Sequence, residues 1–255
     1  MTHSEATAAP DAQPQLRYEF TGEEKVIAPG VVVRRIRALV AISATLYTPA
    51  VQPGELGGWI AGTENLTQVS GNAWVYGDAQ VYGDAQVSGN ARVSGNAWVS
   101  GDAQVYGDAQ VSGNAWVYGD AQVYGDAQVS GNAWVYGDAQ VYGDAQVSGN
   151  ARVSGNARVY GNAQVYGDAW VSEKCSRSPI LISGLRYSIT ITDDHLRAGC
   201  QCHPINKWPE FTREEIAAMD GKSALRFYPQ LLALFAAARI QEADETEVDD
   251  AVEAE

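Results

Sequence analysis

Three side chains with metal-binding chemistry lie close together in the C-terminal part of the chain: Cys200, Cys202 and His203. Thiolate sulfur and imidazole nitrogen are common zinc ligands. The spacing disfavours such a site, because one residue separates the two cysteines where zinc sites have two to four, and no second pair follows. We therefore expect no metal and no other cofactor, and we expect the cysteines to be buried and reduced. The alternative is a metal site formed by these three residues.

Groups suited to acid–base catalysis are absent from the middle of the chain. A general base works best with a pKa near neutral pH, which makes histidine the usual choice. The three histidines are His3, His195 and His203, and residues 69–172 contain no His, Cys, Lys or Glu. We predict that the protein is not an enzyme.

Residues 69–172 form a six-residue repeat. Each unit reads Val, Ser or Tyr, Gly, Asn or Asp, Ala, then Gln, Trp or Arg, seventeen times without an insertion. Residues two apart in an extended chain face the same side, so Ala and Val point inward and the residues between them point outward. Gly, with the Asn or Asp that follows, suits a left-handed corner. A strand and a bend every six residues predict coils stacked as parallel strands.

An aliphatic residue followed four positions later by a small one, as in Val75 with Ala79, is the motif of the hexapeptide-repeat proteins. Residues 69–172 resemble that family. The resemblance implies an all-β solenoid, namely a left-handed parallel β-helix of triangular section with about 18 residues per coil and 5–6 coils. Segments 54–60 and 199–203 resemble hexapeptide-repeat proteins common in phage and prophage genomes, which implies a phage or prophage relation.

Taking every third hexad predicts columns of outward side chains and three unlike faces. One face is aromatic and is the predicted binding face. Its residues are Trp98, Trp116, Trp134, Trp170, Arg152, Tyr82, Tyr118 and Tyr136. Three explanations of this column stay open: a ladder that stiffens the coils, a contact surface for a partner, or a copy left by recent duplication.

Two of the three corner columns are acidic, and the third carries stacked Asn residues whose amides can bond to one another. The acidic edges are Asp84, Asp102, Asp120, Asp138 and Asp108, Asp126, Asp144. We expect solvated corner residues, with calcium binding as the alternative. Of the net charge of −14, eight negative charges lie in residues 242–255, and nine Asp against three Arg give −6 in the repeat.

The composition predicts five segments. They are a disordered N-terminus at 1–16, an N-terminal β cap at 17–68, the repeat at 69–172, a C-terminal α+β cap at 173–241 and an acidic disordered tail at 242–255. Trp59 and Ile60 are predicted to plug the first coil. Trp208, Phe211, Leu225 and Leu232 are predicted to form the small core of the C-terminal cap.

No secretory signal or apolar span is evident, so we expect a cytoplasmic protein, including the cytoplasm of a phage-infected or lysogenic bacterial cell. The predicted function is a non-catalytic scaffold whose aromatic face binds a protein partner or a second copy, without a membrane and without direct nucleic-acid binding. Three alternatives remain. They are an acidic decoy that mimics DNA and inhibits a host protein, a polysaccharide-binding module, and an acyltransferase-like hexapeptide enzyme.

Overall fold

The computed structural model of the protein describes residues 15–45, 48–68 and 70–252, with side chains described up to residue 237. Residues 1–14 of the predicted disordered N-terminus, Val69 at the start of the repeat, and residues 253–255 of the predicted tail lie outside the described residues. The chain is a parallel β-solenoid of about six turns with a small N-terminal strand region and a C-terminal sheet and helix.

The N-terminal region is a three-stranded antiparallel sheet. Its strands are β1 (Tyr18–Ala28), β2 (Val31–Ala38) and β3 (Leu56–Ile60). Pro29 and Gly30 form the turn between β1 and β2, as the sequence predicts, and Gly30 has a φ of 77°. A 3-10 helix, Thr63–Asn65, follows β3 and leads into the first coil.

The basic cluster on β2 is paired with acidic residues of β1. Arg34, Arg35 and Arg37 approach Glu24, Glu23 and Glu19 with nitrogen–oxygen distances of 2.9, 3.7 and 2.9 Å. These groups are half-exposed, so each pair contributes about 0–1 kcal/mol. The cluster is therefore a salt-bridged strand face.

Eighteen short strands make the coils, each placed where a Gln, Trp, Arg or Lys precedes a Val or Cys. They are β4 (Trp74–Val75), β5 (Gln80–Val81), β6 (Gln86–Val87), β7 (Arg92–Val93), β8 (Trp98–Val99), β9 (Gln104–Val105), β10 (Gln110–Val111), β11 (Trp116–Tyr118), β12 (Gln122–Val123), β13 (Gln128–Val129), β14 (Trp134–Tyr136), β15 (Gln140–Val141), β16 (Gln146–Val147), β17 (Arg152–Val153), β18 (Arg158–Val159), β19 (Gln164–Val165), β20 (Trp170–Val171) and β21 (Lys174–Cys175).

The coils stack with an offset of 18 residues and form three parallel sheets. β11 pairs with β14 so that Trp116 faces Trp134 and Val117 faces Val135. The same offset joins Gln110 to Gln128 and Gln122 to Gln140. The Ala and Val of every coil are at most 1% exposed and form one continuous core. The predicted fold class is confirmed.

Glycine is required at the corners for two reasons. Gly107 has a φ of 71°, and a Cβ built on it would lie 2.9 Å from the backbone nitrogen of Gly125 one coil above. Among the described residues, no residue other than Gly has a positive φ, so the Asn and Asp that follow do not take the left-handed conformation. The corner column is therefore closed to any side chain at the Gly position.

The N-terminal strands continue one sheet of the solenoid beyond its first coil. β3 pairs in parallel with β5, which places Trp59 opposite Gln80 and Ile60 opposite Val81. Ile60 thus occupies the buried position of a repeat Val, while Trp59 occupies the outward position beneath Lys25 and Arg35. Trp59 and Ile60 thus cover the end of the first coil, as predicted, but they do so as the two sides of an added strand, with Ile60 in the core and Trp59 outside it. Tyr18, Ile36 and Trp74, all at most 1% exposed, lie in the core cluster at this end.

The C-terminal unit is an antiparallel sheet packed on a helix. Its strands are β22 (Ile180–Ile182), β23 (Ile189–Ile191), β24 (His195–Ala198) and β25 (Gln201–Pro204), followed by a 3-10 helix, Ile205–Glu210, and α1 (Arg213–Val252). Trp208 is buried, and Phe211 and Leu232 pack on the same cluster, as predicted. Leu225 is not part of that cluster. Phe227, Leu231 and Phe235 take the helix positions facing the sheet, because they recur every four residues.

α1 begins with a capping box. Thr212 N–H donates to Glu215 Oε2 at 2.8 Å, and Glu215 N–H donates to Thr212 Oγ1 at 3.3 Å. Asp220 and Gly221 have non-helical dihedrals and kink the helix. Beyond Gln241 the helix runs on to Val252, through most of the segment that composition predicts to be disordered. The high negative charge of this segment favours disorder, but its Ala and Glu residues have a high helix propensity.

Within the described residues, no helix combines the length and the apolar character needed to span a bilayer.

Candidate binding face

The predicted aromatic column is a stack of indole rings, which we call the Trp ladder (Trp98, Trp116 and Trp134). Neighbouring ring centroids are 4.8 and 5.2 Å apart, and the ring planes differ by 11° and 7°. This geometry follows from the register, since parallel pairing holds identical side chains one coil apart. Both faces of the Trp116 ring therefore contact another indole.

Cationic groups extend the column at its C-terminal end. The guanidinium of Arg152 lies 5.4 Å from the centroid of Trp134. Trp170, on the next rung, donates its indole N–H to Ser154 Oγ at 2.9 Å and carries Arg197 of the C-terminal sheet 4.0 Å above its ring. Arg197 is buried and donates to Ser172 Oγ at 2.8 Å. Cation–π contacts of this kind fix the C-terminal unit on the last coil.

The predicted tyrosines flank the Trp ladder. Tyr82 and Tyr118 meet Trp98 and Trp134 edge to face at 6.3 and 6.4 Å, and Tyr118 stacks on Tyr136 at 5.1 Å. Burial, and to a smaller extent the neighbouring Tyr136, raises the pKa of Tyr118. The structure thus brings all eight predicted residues of the binding face onto one side of the solenoid.

A second aromatic stack, the Tyr ladder, lies on the adjacent face and was not predicted as a site. Its members Tyr106, Tyr124, Tyr142 and Tyr160 stack at 4.9, 4.9 and 5.3 Å. Lys174 lies 5.9 Å from the ring of Tyr160 at the end of the stack. The 18-residue offset predicts this column, which flanks the Gln-rich strands of the face.

The ladders are half-exposed and not fully open. Trp98, Trp116 and Trp134 have intermediate exposure, as do the tyrosines of the Tyr ladder. Because ring faces are shared within each stack, mainly ring edges meet solvent. A sugar ring stacks on an open aromatic face, so this geometry does not favour the polysaccharide alternative. Ring edges carry the partial positive charge of the aromatic quadrupole and suit contacts with other aromatic rings.

The corner columns differ as predicted. Asn96, Asn114, Asn132 and Asn150 form a chain of amide hydrogen bonds of 3.0–3.2 Å that ends on Asp168 Oδ1. The two acidic edges lie at exposed corners. Their members are Asp84, Asp102, Asp120, Asp138 and Asp108, Asp126, Asp144. Within the described part of the chain, no three His, Cys, Asp or Glu residues are placed to hold a metal ion.

The alternative metal residues are not brought together either. Cys202 and His203 are neighbours on β25 and point to opposite sides, with Cys202 Sγ 3.6 Å from Ser172 Oγ. His203 packs edge to face on Trp208 and Phe211 at 5.4 and 4.8 Å, and burial lowers its pKa. Cys200 is exposed in the turn before β25. The expectation that the cysteines are buried holds for Cys175 alone, which replaces a core Val and whose thiol pKa burial raises to about 12.

Comparison with known proteins finds a similarity within the repeat. The chain is similar to the family model described as YdcK Beta solenoid repeat over residues 68–84, 85–101, 103–119, 109–125, 121–137, 127–143, 145–161, 151–165 and 157–173. A search of curated proteins found no match. Those matched stretches coincide with the coils that carry the Trp and Tyr ladders, so the comparison identifies the chain's central segment as similar to a β-solenoid repeat.

Proposed function

We propose that this protein is a non-catalytic scaffold whose solenoid presents the Trp ladder and its flanking tyrosines as a contact surface for a second copy or another protein. One observation carries the proposal. The outward position filled by Trp98, Trp116 and Trp134 is filled by Gln on the other two faces, where the strands pair in the same register. Strand pairing in the coils therefore does not require tryptophan at this position, and the Trp ladder is a feature of one face only.

The closed ends of the solenoid favour a lateral contact over end-to-end growth. At one end β2 and β1 cover the edge of β3. At the other end the C-terminal sheet seats Arg197 on Trp170, and Leu181 packs on the core. Edges covered in this way do not template further strands. The long side faces remain as the surface through which a partner is reached.

The alternative functions have less support. Two exposed Asp columns are consistent with an acidic decoy, but about 4.8 Å between carboxylates along an edge is sparser than about 1.7 Å per charge along duplex DNA. An acyltransferase-like reaction lacks a general base on the coils, because residues 69–172 contain no histidine. A phage or prophage relation stays part of the proposal and is supported by the resemblance of segments 54–60 and 199–203.

Sedimentation velocity over a micromolar concentration series tests the proposal. We expect the wild type to self-associate and the variant Trp98→Gln/Trp116→Gln/Trp134→Gln to remain monomeric, with unchanged far-ultraviolet circular dichroism because Gln is native to this position on other faces. Gln110→Ala/Gln128→Ala/Gln146→Ala, on the opposite polar face, is the matched control and should associate as the wild type does. If the wild type stays monomeric at every concentration, self-association is excluded. If the Trp variant associates as strongly as the wild type, the Trp ladder is not the contact surface.

A further inference from the structure

The two edges of the Trp face, the outward side of the sheet that contains β8, β11 and β14, differ in chemistry. Along one edge runs the Asn column, which consists of Asn96, Asn114, Asn132 and Asn150. Along the other edge runs the Asp column, which consists of Asp84, Asp102, Asp120 and Asp138. All eight side chains are exposed. Both columns are therefore available to a molecule that lies against this face.

The Asn column keeps unused hydrogen-bond donors. Asn114 donates one amide N–H to Asn132 Oδ1 at 3.0 Å, and Asn96 and Asn132 donate in the same way to the next asparagine. A side-chain amide has two N–H donors, so each of these residues retains a second one. An ionised carboxylate only accepts hydrogen bonds. Donors thus border one edge of the face, and acceptors border the other edge on the same rungs.

The aromatic residues also have a fixed order across the face. Each strand runs from the Asn column to the Asp column, so Trp116 lies on the Asn side and Tyr118 on the Asp side. Trp134 and Tyr136 repeat this order one coil further along. The face therefore has two unlike halves, a tryptophan half beside donors and a tyrosine half beside acceptors.

Two copies that meet through this face about a two-fold axis have two possible arrangements. An axis across the solenoids makes them antiparallel and places like columns opposite each other, so that Asp faces Asp. An axis along the solenoids makes them parallel and exchanges the two halves, so that the Asn column of each copy faces the Asp column of the other. Trp116 then faces Tyr118 of the partner subunit, and aromatic rings pack well edge to face. Juxtaposed like charges disfavour the antiparallel arrangement.

We propose that the protein forms a parallel two-fold dimer through the Trp face, in which each Asn column pairs with the Asp column of the partner. This dimer rests on the proposed scaffold function and identifies its partner as a second copy. Each rung supplies both the donor and the acceptor that the facing rung requires, and a two-fold contact demands such self-complementarity.

The size of the face agrees with a weak dimer. Five rungs at about 4.8 Å and six residues at about 3.3 Å give about 500 Å² per copy. The total of about 1,000 Å² is the lower limit for a specific interface. We therefore expect the dimer to dissociate at micromolar concentration.

Sedimentation equilibrium of full-length Asn114→Lys at low ionic strength tests the arrangement. In the parallel dimer the new lysine of each copy faces Asp120 of the partner subunit. The association constant should rise about fivefold, because two surface ion pairs form per dimer. Added salt should remove this gain. In the antiparallel arrangement the two new lysines lie on facing columns, and association should weaken.

Two further variants separate a specific pair from a general effect of charge. Asn162→Lys adds the same charge at an exposed asparagine in the same position of its hexad, in the corner that does not border the Trp face. It is the matched control and should associate as the wild type does. Asn114→Lys/Asp120→Asn should lose the gain, because the partner of the new lysine is removed. Circular dichroism shows whether each variant is folded.

The outcomes distinguish this dimer from the proposed function itself. The parallel arrangement is overturned if folded Asn114→Lys associates no more strongly than the wild type, although loss of association in the Trp variant would still support the contact surface. A wild type that is monomeric at every concentration overturns the dimer and leaves a different protein as the partner. If Asn114→Lys does not fold, Asp120→Asn decides. Stronger association of this variant, through relief of repulsion between Asp columns, overturns the parallel arrangement, and association no stronger than that of the wild type supports it.

Discussion

The solenoid and the C-terminal unit bury their apolar surface in different ways. In the middle coils of the solenoid each inward Val or Ala meets the same residue type 18 positions away, so the core of these coils is two residue types repeated. In the C-terminal unit each contact is unique. Trp208 donates its indole N–H to the carbonyl oxygen of Leu196 at 2.9 Å and meets Phe211 edge to face at 5.5 Å. Repeated contacts place the same side chains along a whole face of the solenoid, whereas the contacts of Trp208 stabilise one place in the C-terminal unit.

The largest effect should come from a charge placed inside the solenoid. Val117 is fully buried in a middle rung of the Trp face. Val117→Asp leaves a carboxylate without a partner, and we expect the free energy of unfolding to fall by more than about 4 kcal/mol. Urea denaturation followed by circular dichroism measures this change.

Ser112→Asp is the matched control, because Ser112 lies at an outward, half-exposed position beside the Asn column. Its effect should stay within about 0.5 kcal/mol. Equal midpoints for the two variants would mean that the Val column does not face the core.

A smaller effect should separate the corner glycines of the solenoid from those of the C-terminal unit. Gly107 and Gly184 have similar φ values of 71° and 78°, but a Cβ meets backbone 2.9 Å away at Gly107 and nothing within 4 Å at Gly184. Alanine at either position loses about 1–2 kcal/mol through the left-handed conformation. We expect Gly107→Ala to cost at least about 1 kcal/mol more, since the coil above must shift.

Thermal unfolding of the two alanine variants side by side measures this difference. The same unfolding temperature for both variants would show that the coils stack more loosely than the structure describes. The corners of the solenoid would then tolerate a side chain as well as the turn in the C-terminal unit does.

The repeat explains why the solenoid is predictable from its sequence. The period alone places Trp98 under Trp116 and Asn96 under Asn114, because each contact depends on one spacing. The Tyr ladder follows from the same rule, because its four tyrosines are also 18 residues apart. Nothing in the period, however, shows that Ser43 and Thr48 lie against Arg92, whose guanidinium donates hydrogen bonds to both.

The terminal units depend on contacts between distant, unlike residues. Trp59 and Ile60 were assigned to a plug because a Trp-Ile pair before the first coil suits either a lid or a strand, and only pairing with β5 decides. Leu225 was assigned to the core of the C-terminal unit, but the kink at Asp220 and Gly221 resets the phase of α1, so that Phe227 and Leu231 face the sheet. Helix phase after a kink does not follow from spacing alone.

The central claim is that one face of the solenoid, carried by the 18-residue register, is the contact surface. Two deletions of whole hexads test it most directly. Removing residues 103–120 takes out one full coil and leaves Trp98 stacked on Trp134. Removing residues 103–114 keeps the core repeat but moves Trp116 and Trp134 to another face, away from Trp98.

The measurement is the association constant of both deletion proteins by sedimentation equilibrium, with circular dichroism to show that each is folded. We predict that the protein lacking 18 residues associates as the wild type does and that the protein lacking 12 residues, although longer, is monomeric. Equal association of the two folded proteins would contradict the claim, because the position of the tryptophans around the solenoid would then not matter.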